Sequence, residues 1–407
     1  MVLSFVTYGF VIAIMLWGVK FAGIKGFHED FMSLKKTKAL RGVSAVCVIL
    51  HHISQQEAFK ETKTLSFFEN IGLYFVAVFF FCSGYGLVKS LRTKPDYFKG
   101  FVKNRIVKTL WIPFIINSCL YCLFYKFIMN SDFPVSKWIC GVLGLTLIND
   151  YAWFPVVLTV LYIAFFFAYR NEGSEKKGNF IVALVIFFMA CLFCIEGHLA
   201  WWAGSRNWYL SNEGWASSKW WMGVKVFWFS GEWWVNSCIA FLMGILFAQK
   251  EKGITAWFKK AYFLKYAAVL FLTAAAFVLS FAGMEKFGYW TEWNGTGPGI
   301  GNKFITFFLQ EPSVIFAVIL IFMTMMKFNS DNPVLRFFGN ISLETYLMNY
   351  MAILLFWSVI YKAGTREPLI VEGNLNLVKY TVCVFAASVV LGLIYKFICT
   401  GVKKLIK

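Results

Sequence analysis

Residues 38–54 read KALRGVSAVCVILHHIS: an arginine, an apolar stretch, then two adjacent histidines. His52 follows Arg41 by eleven positions, about 16 Å of rise in a helix. Eleven steps of about 100° make three turns plus about 20°, so Arg41 and His52 share one face, with His51 turned aside by a quarter-circle or more. Ionisable groups in a segment this apolar are costly in lipid and are functional candidates by default. Taken singly, Arg41 is an ordinary snorkelling residue at a helix end and His52 an interfacial histidine. The shared face is what favours function.

The rest of the chain repeats this apolar character. Of 407 residues, 59% are hydrophobic and 15% charged, where a soluble domain carries roughly a quarter charged. Apolar runs occupy residues 3–24, 38–53, 68–91, 105–129, 151–170, 178–197, 232–250, 260–283, 303–327, 336–361 and 375–398. Most are near the roughly 20 residues that cross a bilayer as helix. They do not alternate, which excludes a β-barrel. The expected fold class is an all-α polytopic transmembrane helical bundle with about eleven spans. A further amphipathic piece, VSKWICGVLGLTLIND, is expected to lie flat on the membrane surface or dip into it.

A net charge of +18 is a nucleic-acid signature in a soluble protein. Here the excess falls in every second loop. Lys25, Lys35, Lys36 and Lys38 fill one; Lys89, Arg92, Lys94, Lys99, Lys103, Arg105 and Lys108 fill another against Asp96. RNEGSEKKG, QKEKGI and the KKLIK tail follow. This is the positive-inside pattern, which puts the N-terminus outside and the C-terminus in the cytoplasm. Membrane lipid, not nucleic acid, is the implied partner. The first run lacks a basic leader and is followed by Lys20 and Lys25, so a retained helix is expected rather than a cleaved signal peptide. Most of the ten cysteines lie in apolar runs, and Cys191 with Cys194 lacks further donors. Neither a disulfide framework nor a metal site is expected.

The motifs resemble those of the membrane acyltransferase-3 family. LRGVSAVCVILHH is similar to that family's first core helix, with Arg41, ten intervening residues and His52 at the hallmark positions. FVAVFFFCSGYGL resembles the end of its second helix, with Ser83, Gly84 and Tyr85 in place. FVKNRIVKTLWIPF resembles the basic stretch entering the next span, with Arg105, Lys108 and Pro113. WWVNSCIAFLMGILFA and ISLETYLMNYMAILL resemble later helices, although Asn349 stands where the family commonly has a histidine, which weakens a role there. The likeness covers about residues 38–398. Residues 1–37 then form an added N-terminal helix and basic linker on a ten-helix core, and residues 399–407 a basic cytoplasmic tail.

The resemblance implies an O-acyltransferase in a multi-pass cell membrane, expected to be a bacterial cytoplasmic membrane. It would move an acyl group, commonly acetyl, from cytoplasmic acyl-CoA (acetyl-CoA first) to a hydroxyl of an extracytoplasmic or lipid-linked glycan, with no bound cofactor. The phosphates of CoA ask for Arg and Lys donors. Arg41, Arg105 and Lys108 are the candidates, the last two being three apart and so on one edge of an α-helix; topology alone accounts for most of the lysines. A hydroxyl nucleophile needs a base of near-neutral pKa, which points to His52. A transient acyl carrier on His52 is the other option. Ser83, Tyr85 and Tyr346 are candidate oxyanion donors by motif position.

Glu344 is a candidate orienting partner for Arg41, and Glu311 precedes Pro312, an expected kink. Nine of the seventeen tryptophans fall between Trp201 and Trp234. Interfacial belts explain most of them, while Trp208, Trp215 and Arg206 are candidates for stacking on and hydrogen-bonding an acceptor glycan. The alternative is a glycan transporter or polymerase without acyl chemistry. Transport favours paired half-repeats and broken midplane helices, neither of which is evident. A polymerase favours outer arginine clusters, and the outer loops are poor in arginine.

Overall fold

The computed structural model describes residues 2–131, 133–170, 174–196, 231–287, 299–362, 367–369 and 375–405. Its principal helices begin with α1 Val2–Leu16, α2 Leu34–Ser54 and α3 Gly72–Thr93. The stretch Val102–Trp111 is a π-helix running directly into α4 Ile112–Phe127. Then come α5 Trp153–Tyr169, α6 Glu175–Glu196, α7 Ile239–Lys259, α8 Tyr262–Phe287 and α9 Gly299–Lys327. The last are α10 Pro333–Asn340, α11 Ser342–Leu355 and α12 Leu375–Leu405.

Each apolar run of the sequence contains helix. Among the described residues six helices are long and apolar enough to cross a membrane: α3, the π-helix with α4, α6, α8, α9 and α12. The chain is an all-α polytopic membrane protein. Of the five other runs, two depart in ways that shape the fold. α1 has 15 residues, about 22 Å of rise against a hydrocarbon core of about 30 Å. It stops before Gly18, which turns at φ +68, and the chain leaves as a two-residue strand, Lys20–Phe21, antiparallel to Phe328–Asn329. The run 336–361 is divided into α10 and α11 by a non-helical Ile341 at φ −118, ψ 18. α9, in contrast, continues as one helix through Pro312. The amphipathic piece forms a helix over Val135–Val142, where burial pushes the Lys137 amine down to about 8.

The described chain falls into two units: Met1–Phe79 with Ile321–Lys407, and Phe80–Leu320. In the first, α2 packs against α10, α11 and α12. Helices in lipid gain little from hydrophobic burial against each other, so close backbone contact through small residues supplies the attraction. A Cβ on Gly42 would stand 1.9 Å from the Leu335 carbonyl oxygen, and one on Gly339 would stand 1.9 Å from the Lys38 carbonyl oxygen. α2 and α10 therefore cross backbone to backbone. Asn332 starts α10: its side chain accepts from the Leu335 amide at 2.9 Å and donates to the Ile14 carbonyl at 2.8 Å. Pro333 fills the first turn, where no amide hydrogen is needed.

The second unit repeats the device. A Cβ on Gly84 would lie 2.1 Å from the Phe241 carbonyl oxygen, and one on Gly244 would lie 2.2 Å from that of Phe81. The glycine of the SGY motif is thus what lets α3 and α7 touch.

Candidate active site

α2 is an uninterrupted helix from Leu34 to Ser54, so the sequence geometry holds: Arg41 and His52 stand on one face, about 16 Å apart along the axis. Arg41 is half-buried and makes no hydrogen bond or ion pair among the described residues. Glu344, in the first turn of α11, lies within electrostatic reach of Arg41, Lys396 and Lys403. The expected Arg41–Glu344 partnership is therefore a proximity without a direct ion pair. Lys396 is fixed by donation to the Asn340 carbonyl at 2.6 Å. The proximity of Lys396 and Lys403 to Glu344 was not legible, because the sequence shows them only as positive charge near a cytoplasmic tail. Their seven-residue spacing, about two turns on one face, was the available signal.

His52 is buried at the other end of the helix. Its Nδ1 lies 2.8 Å from Oδ1 of Asn349 in α11. Asn349 Nδ2 donates to Ser388 Oγ in α12 at 3.0 Å, and Ser388 Oγ donates to the Val384 carbonyl at 2.6 Å. The residue that departs from the family pattern is thus the one that touches the histidine. Tyr346, one turn before Asn349, has its ring centroid 6.0 Å from that of His52. His51 is committed elsewhere: its Nδ1 lies 2.8 Å from the Phe68 carbonyl oxygen, and its ring covers Gly72, where a Cβ would come within 2.3 Å.

The remaining candidates belong to the second unit. Ser83 is half-buried. Tyr85 donates its hydroxyl to the Glu251 carboxylate at 3.1 Å, and Lys89 pairs with the same group at 2.9 Å. Arg92 is taken by Glu175 at 2.7 Å. Arg105 donates to Ser90 Oγ at 3.0 Å and lies 5.7 Å from the Tyr97 ring centroid. Lys108 is half-buried. The common edge expected of Arg105 and Lys108 presumed α geometry. They sit in the π-helix, whose i→i+5 bonding widens the turn and spreads residues three apart around the axis. Glu311 is buried beside Cys238, and neither of its carboxylate oxygens is hydrogen-bonded among the described residues. Arg206, Trp208 and Trp215 lie outside the described residues.

The Tyr85 bond has a measurable consequence. Tyr85→Phe is expected to lower stability by about 1 kcal/mol, the usual worth of one hydrogen bond. Acyl transfer should stay within a few-fold of wild type. A loss of turnover with unchanged stability would instead give the hydroxyl an oxyanion role.

The acyltransferase-3 family model, described as an acyltransferase domain, matches residues 37–396. No curated protein and no solved structure matches the chain. With most of its length covered by that domain, the chain belongs to the acyltransferase-3 family of membrane acyltransferases.

Proposed function

We propose that the protein transfers an acyl group, acetyl first among candidates, from cytoplasmic acyl-CoA to a hydroxyl of an extracytoplasmic or lipid-linked glycan. The observation that carries this is α2 itself. One end presents a half-buried guanidinium with no ion-pair partner among the described residues, and the other presents a buried, hydrogen-bonded imidazole. A cation near a carboxyl but without a direct ion pair keeps its donors open to an anionic ligand, and a guanidinium matches a diphosphate with two parallel donors. In the proposed step His52 takes the proton of the acceptor hydroxyl as its oxygen attacks the thioester carbonyl. The tetrahedral intermediate collapses with cleavage of the carbon–sulfur bond. The thiolate leaves and recovers the proton from the imidazolium, so the base is regenerated.

Proteoliposomes loaded with labelled acetyl-CoA and supplied with an outside glycan test the reading. Covalent label on the glycan supports it; uptake or export of glycan without label identifies a transporter. Arg41→Ala is expected to raise the KM for acetyl-CoA by about ten- to a hundredfold, the worth of one charged hydrogen bond. The KM for S-acetylpantetheine, which lacks the phosphates, should barely move. An unchanged KM for acetyl-CoA would remove Arg41 from donor binding.

A further inference from the structure

We infer that Asn349, itself oriented by Ser388, fixes the tautomer of His52, with the proton on Nδ1 and the lone pair on Nε2. The chain of hydrogen bonds starts at an atom with no choice. The Val384 carbonyl oxygen can only accept, and the Ser388 hydroxyl lies 2.6 Å from it. That contact uses the only hydrogen the hydroxyl has. Toward Asn349, at 3.0 Å, Ser388 Oγ therefore offers lone pairs alone, and the amide must present its NH₂. A planar amide with its nitrogen so placed turns Oδ1 to the other side, where it meets His52 Nδ1 at 2.8 Å. Oδ1 can only accept, so Nδ1 carries the hydrogen. A neutral imidazole has one such hydrogen, and Nε2 is left as the basic nitrogen.

The side chains are all but sealed from solvent, with Ser388 and Asn349 at 0% exposure and His52 at 7%. No bulk water is at hand to satisfy a flipped amide, so the anchor at Val384 is transmitted undiluted across two hydrogen bonds. The choice of an amide also matters. A carboxylate at position 349 would hold the same tautomer but would stabilise the imidazolium, biasing the base toward its spent form. Asparagine orients without adding charge. With His52 as base, as proposed above, Nε2 is the nitrogen that takes the acceptor's proton and returns it to the leaving thiolate. Asn349 and Ser388 are positioning residues that act through it.

The test uses full-length protein labelled with [¹⁵N]histidine in lipid nanodiscs, with the His52 signals identified by their loss in His52→Gln. Wild type should show a protonated Nδ1 and an unprotonated Nε2. In Ser388→Ala the amide is free to turn, and the His52 signals should shift toward a mixture of tautomers. kcat should fall by about ten- to a hundredfold, the range for losing a partner that orients an imidazole, with the KM for acetyl-CoA unchanged. Asn349→Ala should mix the tautomers at least as far. A wild-type His52 protonated on Nε2, or signals and kcat unmoved in both variants, overturns the inference. Failure of the base role reads differently: His52→Gln would then keep its transfer rate while the wild-type tautomer stayed as stated.

Discussion

His52→Gln is expected to reduce acyl transfer by about 10²–10⁴-fold, the usual contribution of a positioned general base, in protein that folds and inserts normally. Glutamine is chosen because its amide can still donate to Asn349 Oδ1, which now receives the His52 Nδ1 hydrogen at 2.8 Å. The buried chain through Ser388 stays satisfied, and only the basic nitrogen is lost. The KM for acetyl-CoA should change little, since the donor's phosphates are assigned to Arg41, about 16 Å down the same helix. The same variant separates the two chemical options for this histidine. Donor without acceptor, quenched within one turnover, should leave no label on wild-type protein if His52 is a base. An acyl-imidazole intermediate would leave label that His52→Gln lacks. Retention of most wild-type activity by His52→Gln would remove His52 from the chemistry altogether.

What the sequence disclosed and what it hid follow from the range of the forces involved. The apolar runs were legible because bilayer thickness sets a length that a single segment must meet by itself. The face shared by Arg41 and His52 was legible because regular helix geometry relates residues eleven apart without reference to the rest of the chain. The break at Ile341 had no capping signal: Gly339 and Asn340 lie inside α10 without positive φ, and Gly339 serves the close crossing with α2. The π-helix over Val102–Trp111 has no local signal, so an α-helical spacing of Arg105 and Lys108 is all the sequence can suggest. The partners of the key side chains were out of reach for another reason. Asn349 is 297 positions from His52, and Glu251 is 166 from Tyr85. Such pairings are products of helix packing, which no single-segment pattern encodes. Asn349 breaks a family pattern, which weakens a role there on sequence alone, yet the hydrogen bonds it makes are ones that only a residue with both an acceptor and a donor could complete between His52 and Ser388.

Gly42→Ala is expected to be the most damaging small substitution in the first unit. The added Cβ would begin 1.9 Å from the Leu335 carbonyl oxygen, far inside contact distance. The obstacle is backbone, so no rotamer change relieves it, and α2 must lift away from α10. Overpacking of this kind costs about 1–3 kcal/mol, and Gly42→Val should lie at or above the top of that range. Gly339→Ala meets the Lys38 carbonyl from the other side of the same crossing, also at 1.9 Å, and should behave alike. Because the two changes relieve or aggravate one contact, the double variant should be less than additive. Gly9→Ala is the control: nothing lies within 4 Å of a Cβ there, and replacing a helical glycine by alanine should be neutral to stabilising. The measurement is the fraction of monodisperse protein surviving a heating series in detergent, followed by the transfer assay on what survives. Activity should fall further than the folded fraction, because Gly42 directly follows Arg41 and a lifted α2 carries Arg41 and His52 with it, pulling Nδ1 from Asn349. Wild-type heat resistance in Gly42→Ala would show that the α2–α10 crossing does not hold the catalytic helix in place.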